Sequence, residues 1–208
     1  MSGVYLVTDR RLVGDIVEAV ESALEGGVKL VQLREKDLGG KDLLELAKKI
    51  RKKTLEFGAR LIINDRLDVA LLSGADGVHL GQNSFSPKDA RKIIGGRRLI
   101  GVSTHSLEEA KRAEAEGADL ITFGPVYYTA SKAPYGEPLG TGLLKEACGK
   151  VKIPVYAIGG IKRENVKEAA ASGAEGVAVI SAILGSSDIK RSAEELTGEL
   201  RDLKADRK

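Results

Sequence analysis

Short apolar runs rich in valine and isoleucine alternate along this chain with longer runs in which apolar residues recur every three or four positions. The first pattern suits a strand buried on both faces, the second an amphipathic helix lying against it. Eight strands are predicted: Gly3–Thr8, Lys29–Glu35, Arg60–Asn64, Gly77–Gly81, Leu99–Ser103, Leu120–Gly124, Val155–Gly159 and Gly176–Ser181. Helical patterns follow each, near Asp15–Glu25, Gly40–Phe57, Arg66–Ser73, Ser86–Ile94, Ser106–Glu116, Gly142–Lys150, Arg163–Ser172 and Ile183–Leu203. Regular βα alternation builds a parallel sheet, and eight such units close it on itself. The expected fold is therefore α/β, a (β/α)8 TIM barrel forming a single domain over residues 1–208. A doubly wound open sheet of six strands is the alternative.

A weak internal repeat supports closure. Gly26-Gly27-Val28-Lys29-Leu30, Gly74-Ala75-Asp76-Gly77-Val78, Gly117-Ala118-Asp119-Leu120-Ile121 and Gly173-Ala174-Glu175-Gly176-Val177 each join a helix to an even-numbered strand. A glycine there can end the helix in a left-handed cap. Such turns form the bottom of a barrel and serve folding, whereas chemistry belongs at the carboxyl ends of the strands.

The polar residues gather at those carboxyl ends. Strand 2 runs into Gln32-Leu33-Arg34-Glu35-Lys36, where alternation sends Gln32, Arg34 and Lys36 to one side. Asn64 and Asp65 follow strand 3. Strand 4 ends in His79-Leu80-Gly81-Gln82-Asn83-Ser84, strand 5 in Ser103-Thr104-His105, and strand 6 leads into Tyr127-Tyr128-Thr129-Ala130-Ser131-Lys132. Gly159-Gly160 closes strand 7 and Ser181 strand 8.

Two anion sites differ in their chemistry. Gly159-Gly160 lets backbone amides approach a ligand, and Ser181 precedes a helix expected to start near Ala182, a combination suited to a monophosphate. A turn that needs positive φ explains the glycine pair equally well. Arg34, Lys36, Asn64 and Lys132, around the carboxylate of Asp65, suit a diphosphate with a magnesium ion. Asp65 could instead cap the helix beginning at Arg66. Of the two histidines, His79 lies mid-strand and reads as a satisfied core residue, whereas His105 opens a helix and is better placed for proton transfer. Its alternative is a loop position beside a capping box of Ser106 and Glu109.

Composition narrows the partners. Of the 208 residues 30% are charged, yet the net charge is only +3 and aromatics make up 4%, which removes the basic stripe and stacking platform of a nucleic-acid binder. The amino terminus enters a strand directly, without a basic leader or long apolar segment, so a cytoplasmic protein with no membrane partner is expected. Cys148, the single cysteine, excludes an internal disulfide and sits in a helical pattern. Homo-oligomerisation stays open.

Gln32-Leu33-Arg34-Glu35-Lys36, Asn64-Asp65-Arg66, Gly74-Ala75-Asp76-Gly77-Val78-His79-Leu80-Gly81-Gln82, Gly101-Val102-Ser103, Gly124-Pro125-Val126-Tyr127, Thr129-Ala130-Ser131-Lys132 and Ala157-Ile158-Gly159-Gly160-Ile161 together resemble the thiamine phosphate synthase family, in order and over nearly the whole chain. The resemblance implies a transferase that releases diphosphate from hydroxymethylpyrimidine diphosphate and joins the pyrimidine methylene to the nitrogen of hydroxyethylthiazole phosphate. It places Gln32, Arg34, Lys36, Asn64, Ser103 and Lys132 on the pyrimidine and diphosphate, and Asp65 on magnesium. Thr129, Ser131, Gly160 and the backbone of Ile180 and Ser181 would hold the thiazole phosphate, with Gly159 beside them. Ser103, Lys132 and His105 are the catalytic candidates.

One position departs from the pattern: where the family carries a second metal-binding acid, this chain has Ser84. The run around Ser84 and His105 is similar to the sister group of thiazole tautomerases, which isomerise a carboxythiazole phosphate without metal. That activity, and a non-catalytic thiazole phosphate binder, are the alternatives.

Overall fold

The computed structural model describes residues 3–129 and 137–205, so Ser131 and Lys132 lie outside the described residues. Eight parallel strands pair in sequence order and close, β8 returning to β1. They are β1 Gly3–Val7, β2 Leu30–Leu33, β3 Arg60–Asn64, β4 Gly77–Leu80, β5 Leu99–Thr104, β6 Leu120–Phe123, β7 Val155–Ile158 and β8 Gly176–Val179. Around them run α1 Ile16–Glu25, α2 Gly40–Glu56, α3 Leu67–Ser73, α4 Pro87–Ile94, α5 Leu107–Ala115, α6 Gly140–Lys150, α7 Val166–Ala171, α8 Ser181–Leu184 and α9 Ile189–Ala205. The open six-stranded alternative is thereby excluded.

Alternation along each strand creates two cores. Val4 and Leu6 of β1, Val31 and Leu33 of β2 and Leu61 and Ile63 of β3 face outward and pack with the helices. Tyr5, Val7, Leu30, Ile62, Leu120, Tyr156 and Ala178 fill the barrel interior. The inner positions nearer the carboxyl ends are polar, with Gln32, His79 and Thr122 all buried. Each strand therefore runs from an apolar floor to a polar rim.

The helix-to-strand repeat works as a floor. Gly27, Gly74, Gly117 and Gly173 all have positive φ. Asp76 accepts the Leu61 N–H at 2.8 Å and pairs with Arg51 at 2.6 Å. Asp119 repeats this with the Ile100 N–H at 2.7 Å and Arg91 at 2.6 Å. Each acid ties a loop to a strand start and a helix, which accounts for its recurrence.

Boundaries moved where side chains compete for the backbone. The helix expected over Ile183–Leu203 is two, α8 and α9, because Ser186 and Asp188 accept the N–H groups of Asp188 and Arg191 and start a new helix after Gly185. The seventh helix begins at Val166, since Asn165 Oδ1 accepts the Lys162 N–H at 2.7 Å and holds the preceding residues in a turn. The second strand ends at Leu33, so Lys36 sits in a turn.

Candidate active site

The rim is assembled from strand ends, beginning at β2. Beyond Leu33 the Arg34 N–H donates to Thr8 Oγ1 at 2.9 Å. The Glu35 side chain turns inward and accepts the Arg10 N–H with both oxygens, at 3.1 and 3.2 Å. Glu35 is only 5% exposed, so it fastens the loop after β1 to the loop after β2. Arg34 is left half-buried and Lys36 exposed on a backbone held by groups other than their own side chains. The Arg34 charge acts on the imidazole of His79.

Asp65 is the one described residue other than glycine with positive φ, at 65°. Its N–H donates to the His79 carbonyl at 2.9 Å, which pins the end of β3 to β4. The capping alternative fails: α3 starts at Leu67, its N-cap is Arg66, and no side chain caps it. An exposed carboxylate held in the left-handed region, with no hydrogen bond among the described residues, is placed for an external partner.

Ser84 turns back into its own loop. Its Oγ accepts the Gly81 N–H at 2.8 Å while its N–H donates to the Gly81 carbonyl at 3.2 Å. A depression of about 310 Å³ opens beside it between the ends of β4 and β5, bounded by Gly81, Gln82, Ser84, Phe85, Ser103 and Glu109. Among the described residues no three carboxylate, histidine or cysteine groups cluster as a closed metal cage. Magnesium does not need one, since it keeps water and binds through one or two carboxylates plus substrate phosphates. The exposed Asp65 carboxylate has the chemistry of such a ligand, while the Ser84 hydroxyl already accepts the Gly81 N–H.

His79 is the core histidine expected, 2% exposed and fully partnered. Nδ1 lies 3.2 Å from Tyr5 Oη and Nε2 3.0 Å from Ser103 Oγ, while Gln32 Nε2 donates to Tyr5 Oη at 3.0 Å. Gly101 makes the room, because a Cβ there would stand 2.5 Å from His79 Nδ1. Burial, aided by the Arg34 charge, pulls the imidazole pKa from 6.5 down to about 3. Below pH 6.5 the unfolded chain takes up a proton that the folded one refuses, so stability is full above 6.5 and declines as pH falls toward 3. Between about pH 6.5 and 4.5 this removes roughly 2–3 kcal/mol. Denaturant melts of His79→Gln are expected to lose that slope, and an equal slope in wild type and variant would show that His79 does not cause it.

His105 stands apart from this chain of bonds. Its N–H donates to Glu109 Oε2 at 2.7 Å, its ring lies beside the same carboxylate, and Ser106 Oγ accepts the Glu109 N–H at 3.1 Å. The capping box thus exists, with Glu109 reaching one residue further back than the usual pattern. Glu109 also accepts from Gln82 Nε2 at 2.9 Å and so ties the β4 and β5 loops together.

On the opposite side, Gly159 and Gly160 have φ of 96° and 66°. A Cβ on Gly159 would come within 2.6 Å of Pro125, and one on Gly160 within 2.5 Å of the Tyr128 carbonyl. The pair is needed for the turn, where the β6 loop packs closely against it. Among the described residues the N–H groups of Gly160, Ser181 and Ala182 donate to nothing. Ser181 is the first residue of α8, with Ile180 as its N-cap, rather than preceding a helix that starts at Ala182. Thr129 lies half-buried at the edge of the described segment. Cys148 is half-buried in α6 with its thiol pushed up to about 11 by burial, an inert packing residue.

Sequence reading passed over Tyr5, which lies beneath the rim, and the bonds by which Glu35 and Glu109 tie neighbouring loops together. Tyr5 sits in an apolar run and reads as core; the available signal was that a buried tyrosine hydroxyl needs a partner.

A family model described as thiamine monophosphate synthase matches residues 4–183. The chain belongs to that family. A relative from Geobacter sulfurreducens is 55% identical over 194 residues, 92% of this chain and 91% of that one. The thiamine-phosphate synthase of Clostridium novyi is 43% identical over 194 residues, 92% of this chain and 95% of its own. Among solved structures, the thiamine phosphate pyrophosphorylase of Pyrococcus furiosus superimposes with a TM-score of 0.91 at 39% identity, covering 97% of this chain and 96% of that one. As a member of the thiamine monophosphate synthase family, similar over its length to synthases, the chain is an enzyme, a transferase of thiamine biosynthesis. No described helix is long and apolar enough to cross a membrane.

Proposed function

We propose that this rim condenses hydroxymethylpyrimidine diphosphate with hydroxyethylthiazole phosphate in the cytoplasm, releasing diphosphate and thiamine phosphate. The observation that supports the assignment of residues is that Arg34 and Lys36 follow β2 while Asp65, exposed and with no side-chain hydrogen bond among the described residues, follows the neighbouring β3. In the reaction the C–O bond between the pyrimidine methylene and diphosphate breaks, its electron pair leaving on the diphosphate oxygen. The thiazole nitrogen lone pair then forms the new N–C bond. No protein nucleophile is needed, so the protein's task is to stabilise departing charge and hold two rings face to face.

Arg34 and Lys36 neutralise the leaving diphosphate, and Asn64 donates to it from the end of β3. Asp65 is the side chain that would hold magnesium, with Ser84 offering a hydroxyl oxygen where a second acid is absent. When bound, that ion supplies charge neutralisation on the phosphate oxygens. Gln32 and Ser103 orient the pyrimidine. The amides of Gly160, Ser181 and Ala182 receive the thiazole phosphate together with Thr129, and the family resemblance assigns Ser131 to the same phosphate and Lys132 to the diphosphate.

Incubating the protein with both substrates and magnesium is expected to yield thiamine phosphate, and failure to form it would sink this reading. Ser84 favours one other reading, a metal-independent tautomerase using His105, and isomerisation of carboxythiazole phosphate without magnesium would transfer the assignment to it. Ser84→Asp supplies a carboxylate at the end of the β4 loop. It is expected to lower the magnesium concentration for half-maximal rate by roughly tenfold, the scale of one added charged ligand. An unchanged magnesium titration would remove residue 84 from the metal site.

A further inference from the structure

Four side chains form an unbroken line of hydrogen bonds beneath the rim. Gln32 Nε2 lies 3.0 Å from Tyr5 Oη, Tyr5 Oη 3.2 Å from His79 Nδ1, and His79 Nε2 3.0 Å from Ser103 Oγ. Tyr5 and His79 are sealed inside the barrel at 0% and 2% exposure, and Thr122 Oγ1 stands 3.5 Å from the same Nε2. Of the two ends, Ser103 is half-buried and Gln32 is 3% exposed. Tyr5 Oη has one partner on either side and His79 Nδ1 has one, while Nε2 faces Ser103 at 3.0 Å and Thr122 more distantly at 3.5 Å, so the direction of the first bond sets the direction of those that follow.

Reading from Gln32, its amide N–H donates to Tyr5 Oη. The tyrosine hydrogen is then spent on His79 Nδ1, which makes Nε2 the protonated nitrogen and Ser103 Oγ an acceptor. Ser103 keeps its own hydrogen to give away, and Gln32 keeps Oε1, which accepts from nothing among the described residues. We infer that Tyr5 and His79 are positioning residues that set the polarity of the pyrimidine subsite, making Gln32 an acceptor and Ser103 a donor. An acceptor and a donor turned toward one ring suit a ligand that offers an amino N–H and an unprotonated ring nitrogen, as a 4-aminopyrimidine does. A 4-oxo ring presents the reverse, a carbonyl next to a ring N–H. The wire therefore selects the amino over the oxo ring. This rests on the pyrimidine assignment above, and deepens it by naming what enforces the choice.

Calorimetric titration with 4-amino and 4-oxo hydroxymethylpyrimidine diphosphates reads selectivity without turnover. Wild type is expected to favour the amino compound by about 100-fold, as sites built to hydrogen-bond a substrate reject a mismatched group strongly. Tyr5→Phe keeps the ring and cuts the wire, so the preference is expected to fall below about tenfold. His79→Leu should do the same, while His79→Gln, which can still donate to Ser103, should keep most of it. In the Ser103→Ala background Tyr5→Phe is expected to add little further loss, because its effect passes through Ser103. The KM for the thiazole phosphate should stay within about twofold in Tyr5→Phe, which a general loosening of the barrel would not allow.

Equal selectivity in wild type and Tyr5→Phe, full additivity with Ser103→Ala, or a wild-type preference for the oxo ring would each overturn the inference. The synthase reading would survive those results if thiamine phosphate is formed. Conversely, amino selectivity lost in Tyr5→Phe would uphold the wire even if no product appeared, and wild type binding neither ring would overturn it outright.

Discussion

Arg34→Ala is expected to lower kcat/KM for the pyrimidine diphosphate by about 100- to 1,000-fold, the range for removing one group that stabilises developing negative charge. Lys36→Ala should follow at the lower end, since Lys36 is exposed and its charge is screened by solvent. The fold should not register either change. The Arg34 backbone is held by its bond to Thr8 Oγ1, and Glu35 secures the neighbouring loop through the Arg10 N–H. Buried His79 is uncharged near neutral pH, so Arg34 is not needed to balance it, and the attraction Arg34 loses toward the Asp9 carboxylate is one between partly exposed charges worth little. Steady-state kinetics beside thermal melts decide the matter. A large drop in Tm with unchanged kcat/KM would show that these cations serve the fold and not the diphosphate.

Asp65→Asn and Asp65→Gly form the second test. Both remove the carboxylate, and both are expected to cost roughly 100-fold in rate at fixed magnesium and to weaken its apparent affinity. They differ in what they do to the backbone. Asn tolerates the left-handed region about as well as Asp, and Gly occupies it freely. Relief of the strained φ of 65° in Asp65→Gly is offset by the greater chain entropy that glycine loses on folding, so stability should change by less than about 1 kcal/mol in both. Activity retained in both variants would mean that the left-handed turn, and not the acid, is what position 65 provides.

Much of this was legible along the chain. The eight strands and their order follow from apolar runs and from the Gly-Ala-Asp turns, because burial on two faces and a helix cap are local demands that one segment satisfies with its own residues. The clamp at Gln32 to Lys36, Asp65 after β3 and the Gly159-Gly160 turn also stand in the sequence, since a strand end names its own rim residues. Helix ends were less legible where Asp188 or Asn165 competed for backbone N–H groups, a choice between two nearly equal local arrangements.

What the residues alone determined, then, was the barrel, the side of it that carries chemistry, and the charges gathered there. Tertiary structure decided which of those charges are free. Glu35 and Asp65 are both acids at strand ends, yet one is consumed by the Arg10 N–H and the other is exposed with no side-chain hydrogen bond among the described residues. His79 and His105 diverge in the same way: closure of the sheet brings Tyr5 and Ser103, 74 and 24 residues away from His79, to its two nitrogens, while His105 falls to Glu109. Hydrogen bonds between strands depend on register and barrel closure, which no single segment encodes, so the wire under the rim became visible only once the eight strands were set side by side.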